Sequence, residues 1–307
     1  VNSQQKEIIW IAGGTGLLGR HLSAAIDKDR YLIRILSRTP HNNSNHQAYI
    51  VWDPEHLTIN SEEKPDYIIN LAGISIASKR WTNAQKEAII SSRTQSAHTI
   101  DAYLKKSGHR PKAYISASAV GYYGDRGDEL LTEESMCGHD FMANCCVQWE
   151  EAAYAASVLC KKFVAFRISM VVSLDGGALP KILMSKSMGV FNYFGNGNQY
   201  NPWIHIDDLT KMFVFAIENP DFEGIYNAAA PQQITNKAFI RAISKAIKFK
   251  GFIVKVPAML LRLALGEMAS VLLNSNRISI DKISSHGFEF QYKTIDKAIT
   301  SLIKEKI

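Results

Sequence analysis

Residues 13 to 19 read Gly13-Gly14-Thr15-Gly16-Leu17-Leu18-Gly19, a spacing that lets a chain turn tightly and lets a phosphate approach bare backbone. Gly14-x-Gly16-x-x-Gly19 matches the dinucleotide-binding fingerprint, and with Gly13 ahead of it the segment also reads Gly-x-x-Gly-x-x-Gly. In such a loop the glycines supply the tight turn, close backbone approach to a pyrophosphate and close helix packing. The anion lies at a helix N-terminus, where free amides and the helix dipole favour negative charge. A glycine turn that only packs is the bland alternative. The flanks argue against it: Ile8 to Ala12 is a short apolar run before the loop, and Leu18, Leu22, Ala25 and Ile26 recur at helical spacing after it.

The end of the next apolar segment bears on which dinucleotide suits. NAD-selective loops place an acidic residue roughly 20 positions on, bonded to the ribose hydroxyl. Here Tyr31 to Leu36 runs into Ser37-Arg38, a hydroxyl and a guanidinium with no carboxylate. That pair suits a 2′-phosphate, so NADP(H) is the expected cofactor and NAD(H) the alternative, unless Arg38 is only a surface arginine at a loop mouth. Asn70-Leu71-Ala72-Gly73 places small residues where a chain must pass close to the cofactor. Asp53 could reach the adenine, or could cap a turn before Pro54.

The elements that would hold these residues alternate. Apolar strands are expected at Ile8 to Ala12, Tyr31 to Leu36, Tyr49 to Trp52 and Tyr67 to Leu71, then at Ala113 to Ser118 and Phe163 to Ile168. Thr82-Asn83-Ala84-Gln85 reads as a capping box opening a helix to about Leu104, and a further helix is expected over Phe141 to Leu159. Repeated βα units of this kind build a doubly wound parallel α/β sheet. After Ser169 the pattern loosens into glycine turns, a helix over Ile206 to Glu218 and a strand near Gly224 to Ala228. The expected division is therefore residues 1–169 and a smaller mixed lobe over 170–307, with that strand free to return to the first sheet. The apolar group Leu260, Leu261, Leu263, Ala264 and Leu265 is expected to be core.

Composition narrows the function classes. The chain of 307 residues is long enough to bury a sizeable core, and its apolar runs are too short or interrupted for the ~20 residues of a membrane span. The polar first residues leave no room for a signal peptide, so the expected location is the cytoplasm. Cys137, Cys145, Cys146 and Cys160 have neither metal-ligand spacing nor a disulfide pattern, and no metal site is expected. The net charge of +6 comes from scattered residues, densest at Lys304-Glu305-Lys306, which excludes a nucleic-acid stripe and fits an anionic small-molecule partner.

Several segments together carry a family resemblance. They are the glycine loop, Asn70 to Gly73, Lys79-Arg80-Trp81, Ser116-Ala117-Ser118-Ala119-Val120-Gly121-Tyr122-Tyr123-Gly124-Asp125, Trp149-Glu150, and Trp203-Ile204-His205-Ile206-Asp207-Asp208-Leu209. Over nearly its whole length the chain resembles the extended short-chain dehydrogenase/reductases, and more closely their atypical epimerase-like branch, whose helical tail is matched by Leu265 to Met268 and Gly287 to Phe290. The resemblance implies a Rossmann domain for NADP(H) or NAD(H), and a C-terminal lobe closing over a small-molecule substrate. It leaves a homodimer through sheet-flanking helices open.

The resemblance also implies a Ser or Thr, a Tyr and a Lys four residues later, the group that exchanges a proton with a substrate alcohol while hydride moves at the nicotinamide. This sequence departs from it. Counting from Tyr123-Gly124 puts Ala119 at the hydroxyl position, with Ser118 beside it; counting back from Glu150 puts Met142 and Cys146 where Tyr and Lys would stand. A thioether cannot donate a proton and an un-ionised thiol cannot replace an ammonium. Candidates for a relocated catalytic group are Ser118, Tyr122 and Tyr123, and Lys79, Arg80, Arg93 and His205 could hold an anionic substrate. Each has a plainer alternative: packing for the tyrosines, a solvated loop for Lys79 and Arg80, an inter-lobe hydrogen bond for His205. The expected function is an NADP(H)-dependent oxidoreductase or epimerase-like enzyme acting on a small hydroxyl or carbonyl compound such as a nucleotide sugar. The alternative is a non-enzymatic NADP(H) sensor or interaction protein.

Overall fold

The computed structural model describes residues 5–43 and 47–304. Of the basic C-terminal cluster, only Lys304 falls within them; Glu305 and Lys306, like the first four residues, lie outside.

In chain order the first elements are β1 (Glu7–Ala12), α1 (Leu17–Ala25), β2 (Tyr31–Ser37), β3 (Gln47–Asp53), β4 (Thr58–Ile59), β5 (Tyr67–Asn70), α2 (Asn83–Ser107), β6 (Ala113–Ala119), β7 (Leu130–Leu131), α3 (Phe141–Ser157) and β8 (Phe163–Ile168). They continue as β9 (Met170–Val172), α4 (Ala178–Met184), β10 (Val190–Phe194), β11 (Trp203–His205), α5 (Ile206–Glu218), β12 (Gly224–Ala228), α6 (Asn236–Ala246) and β13 (Phe252–Val256). The last are α7 (Ala258–Leu265), α8 (Ser270–Leu273), β14 (Arg277–Ile278), α9 (Asp281–Ser285) and α10 (Ile295–Lys304).

The main sheet has the order β12-β8-β6-β5-β1-β2-β3-β4, parallel throughout except for the short antiparallel β4. Parallel strands covered on both faces have no polar side to show, which is why β1 and β5 read as almost unbroken apolar runs. The strand order reverses between β1 and β5, so a crevice opens outside their carboxyl ends, where the glycine loop and Leu71 to Gly73 lie side by side. One face of the sheet is closed by α1 and α5, whose Leu22, Leu209, Met212 and Phe213 are fully buried with Ile9, Ile11 and Phe166. The other is closed by α2 and α3 through Ile100, Leu104, Ala153 and Ala156. Burying each large apolar side chain contributes roughly 1.5–3 kcal/mol.

The second half of the chain is woven into the first. Helix α5 and strand β12 complete the main sheet and its cover, while β9 to β11, α4, α6, β13 and α10 surround a separate core of Phe191, Trp203, Phe239, Ile243 and Ile299. The last segment straps the two together. Strand β14 pairs with β7, Phe288 and Phe290 enter the main core, and Ile295 and Leu302 enter the smaller one.

Two local expectations need correcting. Thr82 Oγ1 accepts from the Gln85 amide at 3.2 Å, but the reciprocal bond of a capping box is not made, because the Thr82 amide donates instead to the Arg80 carbonyl at 3.0 Å. The leucines of α7 are not core: only Leu261 is buried, whereas Leu260 and Leu263 are 55% and 74% exposed. The helix is eight residues long and rests on the following 3-10 turn, Gly266–Ala269, so one edge alone is covered.

Candidate dinucleotide site and adjoining cleft

The glycine loop is held by contacts that leave no room for side chains. Gly13 has φ of +77°, and a Cβ on it would stand 2.8 Å from the Leu71 carbonyl carbon and oxygen. A Cβ on Gly14 would come within 2.3 Å of the Ile35 side chain of β2, and one on Gly19 within 2.4 Å of the Gly14 Cα. The loop closes on a Gly16 amide to Gly13 carbonyl bond of 3.0 Å. Gly16 then caps α1 with no side-chain acceptor, so no side chain takes up the first-turn amides. Such a cradle fits a pyrophosphate.

Asn70 fixes the neighbouring loop. Its buried amide donates to Ser96 Oγ at 3.0 Å and Tyr114 OH at 2.9 Å, and its oxygen accepts from the Ala72 amide at 3.1 Å. Leu71, Ala72 and Gly73 are thereby held against Gly13. At the end of β2, Ser37 is buried and accepts from the Thr39 amide at 3.3 Å; Arg38 is exposed, with no hydrogen bond or ion pair recorded for it among the described residues. Asp53 caps its own turn, accepting from the Glu55 amide at 2.9 Å and pairing with His56 Nδ1 at 2.7 Å. Over the loop lies Gly176-Gly177, packed on the Leu17 side chain, and Asp175 reaches His21 of α1 at 3.2 Å.

Beyond β6 the candidate catalytic hydroxyls are drawn into one buried network. Ser118 Oγ donates to Glu150 at 2.6 Å, Glu150 pairs with Arg167 through two bonds of 2.9 Å, and Arg167 donates to Tyr123 OH at 3.0 Å. Tyr123 in turn donates to Asn227 at 2.7 Å. Burial pushes the Tyr123 phenol up to about 12, against the pull of Arg167. Ser118 is 2% and Tyr123 0% exposed, and their hydroxyls tie together β6, α3, β8 and β12. Tyr122 is partly exposed and lies flat on the Arg167 guanidinium, 3.4 Å from its ring centroid. Glu150 and Arg167 were missed in sequence as functional residues, although an arginine inside the apolar strand Phe163 to Ile168 signals a buried partner.

The Met142 and Cys146 side chains face Gly121, 3.3 Å and 3.8 Å from where its Cβ would be. Burial raises the Cys146 thiol far above its ordinary pKa, so no thiolate forms there. Trp81, Phe141 and Met142 with Ile74, Ile76 and Met268 make this region apolar. It borders a cavity of about 590 Å³ between the two halves of the chain, lined among others by Trp81, Asp140, Phe141, Arg262, Glu267 and Asn274. Arg80 reaches its rim at Gly266, Lys86 pairs with Glu267, and Lys79 is exposed nearby in sequence without a recorded contact among the described residues. Arg93 does not line this cavity; its guanidinium lies against Gly73.

His205 does not join this group and lies instead between α5 and the C-terminal tail. It is 0% exposed, caps α5 by accepting from the Asp207 amide at 3.1 Å, and stacks 3.7 Å from the Tyr292 ring of the tail. Next to it Asp208 accepts from the Gln291 and Tyr292 amides, both at 2.9 Å, pinning the strap to α5. Burial holds the His205 ring neutral, lowering its pKa from 6.5 to about 4 against the pull of Asp207. Between those values the unfolded chain binds the extra proton and the folded one does not, so stability falls as pH drops from 6.5 towards 4 and levels off below. The unfolding midpoint of the wild type should fall over that window more steeply than that of His205→Asn, which keeps a capping side chain. Parallel pH profiles for the two proteins would refute the buried neutral ring.

The fold and loop define a Rossmann protein of the extended short-chain dehydrogenase/reductase type, with a strapped C-terminal lobe. The chain belongs to the NAD dependent epimerase/dehydratase family, whose profile matches residues 9–229; a domain of unknown function, DUF1731, matches residues 256–302. It is 34% identical over 299 residues to the epimerase family protein SERP0438 of Staphylococcus epidermidis, covering 96% of this chain and 98% of that one. It is 31% identical to the epimerase family protein YfhF of Bacillus subtilis, covering 97% and 98%. Among solved structures, the human epimerase family protein SDR39U1 with NADPH has a TM-score of 0.88 at 24% identity, covering 97% and 99%. A nucleoside-diphosphate sugar epimerase from Corynebacterium glutamicum has a TM-score of 0.76 at 31% identity, covering 97% of this chain and 58% of the other.

Proposed function

We propose that the chain binds NADP(H) in the crevice at Gly13 to Gly19, and acts as an oxidoreductase or epimerase-like enzyme on a small hydroxyl or carbonyl compound held in the adjoining cavity. A nucleotide sugar is the substrate class the relatives favour, since a 31% identical structure is that of a nucleoside-diphosphate sugar epimerase. The observation that carries the cofactor preference is the end of β2, where the exposed guanidinium of Arg38 stands beside Ser37 and no carboxylate is present to take a ribose hydroxyl. Gly13 to Gly19 would hold the pyrophosphate, Ser37 and Arg38 the 2′-phosphate, and Leu71 to Gly73 the face of the adjoining ribose. When bound, the cofactor supplies hydride chemistry. Trp81, Phe141 and Met142 would give the reacting end an apolar wall.

Arg38→Glu tests the assignment. NADPH affinity should fall by about a hundredfold and NADH affinity by less than about threefold, since only the former loses a charge-assisted phosphate contact. Equal losses would contradict the phosphate site.

A second reading, dinucleotide binding without turnover, is favoured by one observation: Met142 and the un-ionised Cys146 stand where the family's resemblance puts Tyr and Lys. NADPH consumption with a panel of carbonyl compounds, including nucleoside-diphosphate 4-keto sugars, separates the two. Turnover that survives Tyr123→Phe but not Tyr122→Phe would identify the exposed ring as the proton donor.

A further inference from the structure

Arg93 projects from α2 towards α3 and is nine-tenths buried. A buried guanidinium ordinarily has a carboxylate against it, as Arg167 has Glu150, because an uncompensated charge is costly in a low-dielectric interior. Arg93 has none among the described residues. Its Nη1 donates to the Ile89 carbonyl at 2.9 Å and lies 3.5 Å from Ser92 Oγ, its Nη2 donates to the Ile74 carbonyl at 3.3 Å, and its Nε has no recorded acceptor. The guanidinium lies 4.9 Å from the Trp149 ring centroid.

The position of this charge is informative. A Cβ on Gly73 would stand 3.1 Å from the guanidinium carbon, so the head of Arg93 lies directly under the loop that also touches Gly13. The titratable groups whose charge bears on it are the thiols of Cys145 and Cys146 on α3. Cys146 is the residue where the family resemblance would place a lysine.

We propose that Arg93 supplies from α2 the fixed positive charge that α3 lacks, and that it binds an anionic oxygen of the substrate, a carboxylate or the oxyanion of a carbonyl, beside Gly73. Its place next to a dinucleotide rests on the cofactor reading above; the unpaired charge does not. A guanidinium keeps its proton across the working pH range, so Arg93 moves no proton. It acts through electrostatics, which are strongest where water is scarce, and the guanidinium is buried against Ile74 and the Trp149 ring. The two backbone carbonyls orient the guanidinium plane without cancelling its charge, leaving the Nε proton and one Nη2 proton for an incoming acceptor.

The test uses acetate as the anionic probe and acetamide as its neutral counterpart. Each is titrated into the full-length protein, with and without NADPH, and followed by tryptophan fluorescence and calorimetry. The wild type should bind acetate about tenfold or more tightly than acetamide. Arg93→Lys should keep most of that preference, Arg93→Gln should lose it, and NADPH affinity should change by less than about threefold in either. If Arg93→Gln fails to fold, Arg93→Met, which keeps the apolar stem of the side chain and removes only its charge, takes its place and should likewise lose the preference. No acetate preference in the wild type, or a preference surviving in Arg93→Gln, would overturn the proposal. Absence of NADPH binding together with an acetate preference would overturn the cofactor reading and leave the anion site standing.

Discussion

Gly19→Val should weaken NADPH binding by about a hundredfold or more and lower the unfolding midpoint by roughly 5 °C or more. The added Cβ would lie 2.4 Å from Gly14 Cα, 2.6 Å from the Gly13 carbonyl oxygen and 2.7 Å from the Gly14 carbonyl carbon, all backbone atoms that cannot swing aside. The loop must therefore move off α1, which widens the cradle and uncouples Gly13 from Leu71. Overpacking of this kind ordinarily costs about 1–3 kcal/mol in stability alone. Gly108→Ala is the matched control: Gly108 has φ of +63° at the end of α2, and nothing lies within 4 Å of where its Cβ would be. That variant should lose roughly 1 kcal/mol of stability through backbone strain and bind NADPH like the wild type. Calorimetry and thermal unfolding on both variants check this; wild-type affinity in Gly19→Val would refute the loop's role.

Glu150→Ala should destabilise the protein by about 3–5 kcal/mol, because it strands Arg167 in the interior. The Arg167 and Glu150 side chains are 3% and 10% exposed, and they join through two bonds of 2.9 Å. Burial alone would pull the Arg167 pKa down; the Glu150 carboxylate more than reverses that, and the guanidinium ends above its ordinary value. Replacing both partners, as Glu150→Met with Arg167→Met, should recover much of the loss, since the desolvation of both charges disappears together. Denaturant unfolding measures it. A loss below about 1 kcal/mol for Glu150→Ala would mean that the pair is solvated, and would reopen Ser118 and Tyr123 as substrate-facing groups.

What could be read from the residues follows the range of the forces involved. The strands Phe163–Ile168 and Gly224–Ala228 and the helix Ile206–Glu218 were legible because apolar period and local turn signals set them. The glycine loop was legible because its three contacts, with Leu71, Ile35 and its own backbone, all demand the absence of a side chain. The stacking partner of His205 was not: its neighbour in space is Tyr292, brought back by the C-terminal strap through Asp208, and no local pattern announces that return. The same holds for Ser118 and Tyr123, whose partners come from α3, β8 and β12. For α7, an apolar composition suggested burial, but eight residues present more faces than the small lobe covers. Arg93 was legible as a basic residue; its lack of a carboxylate became visible only once α3 was packed against it.

The most direct test of the account is a calorimetric titration of the purified chain with NADPH and with NADH, after checking for nucleotide carried through purification. The account predicts tight binding of NADPH, with NADH weaker by about tenfold or more. Failure to bind either would mean that the glycine cradle is only structural here and would contradict the central claim, while equal affinities would contradict the part assigned to Ser37 and Arg38.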